Sequence, residues 1–162
     1  MEMHMQFKGL TYIAAAAVVA TGCGGGGTTG GLDVEQQFTV ALTAASEVPA
    51  PRPTTATGVA DIVVYEDRVD FQIAGSNISG VTMAHIHNGA VGVAGPVFVT
   101  LFAPASATGA INGVIASGTL NSTNLPSGVT LAALKALLAS GNAYVNVHTT
   151  ANPSGEIRGQ LK

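Results

Sequence analysis

The sequence predicts an all-β domain: an antiparallel Greek-key sandwich or barrel of about eight strands with one short α-helix. Three observations carry this expectation. Short runs rich in Val, Ile, Thr, Tyr and Phe recur along the chain, punctuated by Gly, Pro, Asn and Ser. The clearest of these runs alternate apolar and polar residues, the period of a strand with one buried face. Only one segment carries apolar residues at helical spacing.

The strands follow in order. Phe38–Leu42 alternates apolar with small or polar residues. Gly58–Tyr65 (GVADIVVY) is β-rich throughout, Glu66-Asp67 supplies a hairpin turn, and Arg68–Ala74 returns. In that return Val69, Phe71 and Ile73 share one face, Asp70 and Gln72 the other. Thr82–His87, Pro96–Phe102, Val114–Leu120, Ala143–Thr149 and Glu156–Leu161 complete the set. Leu131, Leu134 and Leu138 recur at helical spacing between Thr130, a good N-cap, and Gly141, a good residue just past a helix end. Leu131–Ser140 is therefore expected to be a short helix closing one end of the core. Aromatic residues make up only 5% of the chain, so the core is built from Val, Ile, Leu and Ala.

The N-terminal segment reads as an export signal. Leu10–Ala20 (LTYIAAAAVVA) is apolar but far short of the roughly 20 residues a membrane span needs. Small residues then lead into Cys23, the one cysteine of the chain. This resembles the bacterial lipobox, which implies cleavage before Cys23 and attachment of a diacylglycerol to its thiol. Residues 1–22 are expected to be the signal peptide, 23–35 the lipidated Cys and a Gly-rich tether, and 36–162 the folded domain. A Gly-rich coil of this length reaches about 20 Å. The expected location is the cell envelope, periplasmic or at the surface, with the membrane as a partner through the anchor. Gly24 rather than Asp after the cysteine favours the outer membrane where two are present.

Composition removes several function classes. Six Lys and Arg against nine Asp and Glu, a net charge of −3, give no footprint for phosphate backbones, so nucleic acid is not an expected partner. One cysteine excludes an intrachain disulfide framework and Cys-based zinc sites. No G-x-S-x-G or H-E-x-x-H motif occurs, and Glu66-Asp67 sits in a turn, so no catalytic residue is assigned.

The chemical content lies in three histidines. His85 and His87 form an H-x-H pair, and side chains two apart on a strand point to one face. His148 shares a face with Tyr144 and Asn146 on a later strand and can supply a third imidazole. Three neutral imidazoles suit copper, with zinc the second choice. Asn146 is placed behind them as a supporting group, and the fourth position falls to water, Asn88 or Glu156. Gly89, Gly92 and Gly95 precede Pro96 and a strand rather than a helix, so they read as a tight connection needing positive φ, not a phosphate loop. Glu156 and Arg158 read as a solvated strand face.

Three stretches together resemble the CHRD (chordin) domain family: Leu42–Pro49 (LTAASEVP); Ala84–Ala90 (AHIHNGA) continuing through Gly95-Pro96-Val97; and Tyr144–Thr149 (YVNVHT) followed by Pro153–Leu161 (PSGEIRGQL). The family occurs in chordin, an extracellular antagonist of bone morphogenetic proteins, and in small exported bacterial proteins. The resemblance implies an exported β-sandwich-like domain, and it places His85, His87 and His148 inside the family's own blocks. A fainter likeness to copper/zinc superoxide dismutase rests on the H-x-H, the Gly-rich loop running into Gly-Pro and a late His. Those three histidines would match three copper-ligand positions. The bridging His, the zinc cluster and the disulfide of that enzyme have no counterpart. The leading expectation is a lipid-anchored binding module holding a mononuclear copper ion. The alternatives are a metal-free module for a protein or envelope polymer, and a copper-dependent oxidoreductase.

Overall fold

The computed structural model describes residues 33–162; the expected signal peptide, Cys23 and the glycines after it lie outside the described residues. The elements are β1 (Val34–Thr43), a 3-10 turn (Ala44–Ser46), β2 (Thr57–Tyr65), β3 (Arg68–Ser79), β4 (Val81–Asn88), β5 (Val97–Phe102), β6 (Ala110–Asn121), α1 (Leu131–Ala139), β7 (Ala143–Thr149) and β8 (Ile157–Leu161). All eight strands join one antiparallel sheet in the order β5-β4-β7-β8-β1-β2-β3-β6. The sheet curls until its two end strands approach each other, giving a nearly closed barrel. The all-β expectation with one short helix holds.

Period-two patterning fills the barrel. Leu42, Ile62, Val64, Val69, Ile73, Val81, Ala84, Ile86, Val145, Val147, Ile157 and Leu161 are all fully buried in one apolar cluster. The β2–β3 hairpin pairs Val64 with Val69 around Glu66-Asp67, where a turn was expected. The chain passes from β3 to β4 through a single residue, Gly80, whose φ of +66° only glycine adopts readily. A Cβ there would also lie 2.5 Å from Thr150 Oγ1.

One irregularity in β4 matters later. Val81 pairs with Thr149 and Met83 with His148, so Thr82 is an extra residue in the ladder, a β-bulge. Val81 and Ala84 both point inward as a result, and Met83 points outward.

The helix begins as expected, with the Thr130 hydroxyl accepting from the Ala133 N–H at 3.1 Å. Its α-helical turns end at Ala139, and Gly141 follows with φ +71°. Leu134, Leu137 and Leu138 are buried in the same apolar cluster as the strands. On the other face Lys135 reaches the Glu35 carboxylate at 2.6 Å and the Glu66 carbonyl at 3.2 Å, tying the helix to the start of β1 and to the hairpin.

These adjacent positions separate burial from surface charge. Leu134→Ala is expected to destabilise the fold by about 2–5 kcal/mol, because a fully buried side chain leaves a cavity. Lys135→Met is expected to cost less than about 1 kcal/mol. Urea unfolding of the two variants checks the contrast.

Candidate metal centre

On an ordinary antiparallel barrel the outward side chains of each strand meet water. Here most outward side chains of β4, β7 and β8 do not. His85 and His87 of β4, Tyr144, Asn146 and His148 of β7, and Arg158 of β8 are all buried. They alternate with the apolar residues that face the barrel interior. A polar layer thus lies outside the core, under a lid of loops.

Register explains the convergence. Antiparallel pairing sets His85 opposite Asn146, His87 opposite Tyr144 and Met83 opposite His148, so His148 sits beside His85 on the same face. His85 Nδ1 and His148 Nε2 approach to 3.0 Å. The His85 and His87 ring centroids are 5.4 Å apart, those of His87 and His148 6.1 Å. One nitrogen from each of the three rings lies within 4.8 Å of the other two. The structure therefore brings together the three histidines the sequence singled out.

Two backbone carbonyls fix the tautomers. His87 Nδ1 donates to the Gly95 carbonyl at 2.9 Å, and His148 Nδ1 donates to the Pro153 carbonyl at 2.9 Å. A carbonyl only accepts, so both protons sit on Nδ1 and both Nε2 atoms carry lone pairs. His148 Nε2 can then only accept, which makes His85 Nδ1 the donor across their 3.0 Å contact. His87 Nε2 is buried with no hydrogen-bond partner. An orphaned basic nitrogen of this kind is costly unless an ion or water engages it.

Burial also keeps the rings neutral. It pushes His85 down to about 4, and repulsion from His148 and His87 acts in the same direction. His87 and His148 are lowered too, chiefly by burial, against the pull of their carbonyl partners. Opposite behaviour appears at Glu47, on the segment after the 3-10 turn. Burial raises its carboxyl to about 7, although the charge of Arg158 pulls it down. Glu47 Oε1 and Asn146 Oδ1 are buried without partners as well, and Asn146 adjoins both Glu47 and His87.

The lid is built around Gly89–Pro96. Arg158 donates to the Val93 carbonyl at 3.0 Å and the Ala90 carbonyl at 3.1 Å. Gln160 donates to the Gly89 carbonyl at 3.0 Å. Tyr144 lies on β7, between β4 and β8; its ring stacks on His87 at 4.7 Å and receives the Arg158 guanidinium at 3.3 Å. The Tyr144 hydroxyl accepts from the Gly95 N–H at 3.1 Å, anchoring the residue whose carbonyl orients His87. Of the three loop glycines only Gly92 has positive φ, at +76°. Gly89 and Gly95 are needed for close approach instead: a Cβ on Gly95 would lie 1.8 Å from the Asn88 carbonyl oxygen.

Three sequence expectations are corrected. Asn88 follows His87 on β4 and pairs with Ala143 of the core, so alternation turns it to the face away from His85 and His87, and it is not placed as a fourth ligand. Glu156 is engaged elsewhere, accepting from the Thr54 hydroxyl at 2.6 Å and from the Thr149 hydroxyl. Neither Glu156 nor Arg158 lies on a solvated face, because loops cover that side of β8. Asn146 lies opposite His85 in the ladder. Tyr144, Arg158 and Glu47 were not singled out as site residues, although Tyr144 shares the outward alternation with Asn146 and His148.

His85, His87 and His148 are expected to show Nδ1-protonated neutral rings in long-range 1H–15N spectra at pH 7, with His85 titrating near 4 rather than 6.5. A group lowered on folding binds fewer protons than in the unfolded chain. The contribution of His85 to stability is therefore complete above pH 6.5 and lost as pH falls toward 4, and those of His87 and His148 fall in the same direction.

The sequence model of the CHRD domain matches residues 38–161. No curated protein and no solved structure matches the chain.

Proposed function

The chain belongs to the CHRD domain family, and from that premise we propose that it is a lipid-anchored, extracytoplasmic binding protein holding one copper ion on His85, His87 and His148. The observation that carries the reading is the buried meeting of three neutral imidazoles around the orphaned His87 Nε2. Imidazole donors are borderline ligands, and copper(II) stands highest in the affinity order of divalent ions, ahead of zinc. The carbonyls of Gly95 and Pro153 supply the supporting hydrogen bonds that imidazole ligands ordinarily need. Displacing the His85 proton from Nδ1 to Nε2 frees Nδ1 without changing the ring's charge. The ligand atoms are then Nδ1 of His85 and Nε2 of His87 and His148. Copper bound there supplies a one-electron centre shielded by the loop lid.

The anchor reading rests on Cys23 after its small-residue approach, with the envelope as the expected location. A second reading, a metal-free interaction module, is favoured by the exposure of Val91 and Val93 on the lid and Val97 at the start of β5.

Titration of the Cys23→Ser chain with Cu(II) is expected to give one site per chain. The His85→Ala/His87→Ala variant should lose at least about 100-fold in affinity. Equal binding by the two proteins would remove the copper reading and leave the interaction module. Protons compete only for basic imidazoles, and burial lowers all three pKa values. Copper retention should therefore extend to lower pH than at an exposed site of three imidazoles. Equilibrium dialysis across pH 4–7 measures this.

A further inference from the structure

We infer that Met83 is a thioether ligand at the mouth of the histidine site and makes it a site for copper(I). The inference rests on the copper reading above and goes past it in naming the oxidation state. Two observations carry it. First, Met83 pairs across the ladder with His148 and stands two residues before His85, so the outward face of β4 reads Met83, His85, His87 toward one cluster. Cross-strand partners have Cβ atoms about 5 Å apart, within reach of a methionine's three rotatable bonds.

Second, the β-bulge at Thr82 is what places Met83 there. Val81 faces inward opposite Thr149; in unbroken alternation Met83 would face inward too, and the extra residue turns it onto the histidine face. A methionine at that position would add apolar volume to the core. Instead Met83 is 40% exposed beside three buried imidazoles.

Chemistry then sets the preference. Thioether sulfur is a soft donor that suits copper(I). Three neutral imidazoles and a thioether form a ligand set without net charge, suited to a monovalent soft ion. Met83 is the exposed member of the proposed set and the three histidines are buried, so an incoming ion would meet the thioether first.

The test uses the Cys23→Ser chain throughout, so that no thiol competes. Copper(I) affinity is measured by competition with bicinchoninate under anaerobic ascorbate, and copper(II) affinity by titration in air. Met83→Leu conserves volume at a half-exposed position and leaves the fold intact. It is expected to weaken copper(I) binding about tenfold or more while changing copper(II) binding less than about twofold. X-ray absorption of the copper(I) form should show a sulfur neighbour that the variant lacks. Unchanged copper(I) affinity in Met83→Leu, with no sulfur neighbour in the parent, overturns the role of Met83. If the His85→Ala/His87→Ala variant still loses copper in that case, the histidine site stands alone. A parent chain that takes up neither ion overturns both.

Discussion

Two hydrogen bonds, from His87 Nδ1 to the Gly95 carbonyl and from His148 Nδ1 to the Pro153 carbonyl, set the chemistry of the whole outer layer. Each fixes a tautomer, and each turns a lone pair toward the same small volume. The third ring has no such carbonyl; its proton is placed by His148. Remove either carbonyl from its position and the imidazole it holds is free to present the wrong nitrogen. The loops that carry these carbonyls are therefore part of the site.

The barrel exists to position those loops. Antiparallel register brings β4 and β7 together, and Arg158 on β8 ties the Gly89–Pro96 loop down through two carbonyls. Tyr144 completes the link by stacking on His87 and holding Gly95 with its hydroxyl. A buried guanidinium is costly, and among the described residues no carboxylate lies within ion-pair distance of Arg158. Its neighbour Glu47 instead keeps its proton to about pH 7. The layer is thus held by hydrogen bonds and stacking around groups that stay mostly neutral, an arrangement that leaves lone pairs available for a cation.

Much of this was legible in the residues. Alternation placed Val69, Phe71 and Ile73 inside, and the Thr130 and Gly141 boundaries marked the helix. The spacing of His85 and His87, with His148 on the outward side of its strand, put three imidazoles on compatible faces. What alternation cannot state is which of two faces is covered. The outward face of β8 looked solvated because Glu156 and Arg158 are charged, yet the loops bury both. Asn88 and Glu156 were plausible donors by sequence proximity. Alternation along β4 turns Asn88 away, and the threonine partners of Glu156 depend on contacts from distant segments such as Thr54. Gly95 looked like a positive-φ turn residue, but its lack of a side chain serves contact with Asn88. The bulge at Thr82 is likewise a property of strand pairing, with no mark in the local composition.

The central claim is that three imidazoles on the outside of a barrel form one metal site. A crystal of the Cys23→Ser chain soaked in copper, with anomalous differences recorded on both sides of the copper absorption edge, tests it most directly. The account predicts one strong peak bounded by Nδ1 of His85 and Nε2 of His87 and His148. Copper peaks elsewhere on the molecule, with the 3.0 Å contact between His85 and His148 still intact, would contradict it.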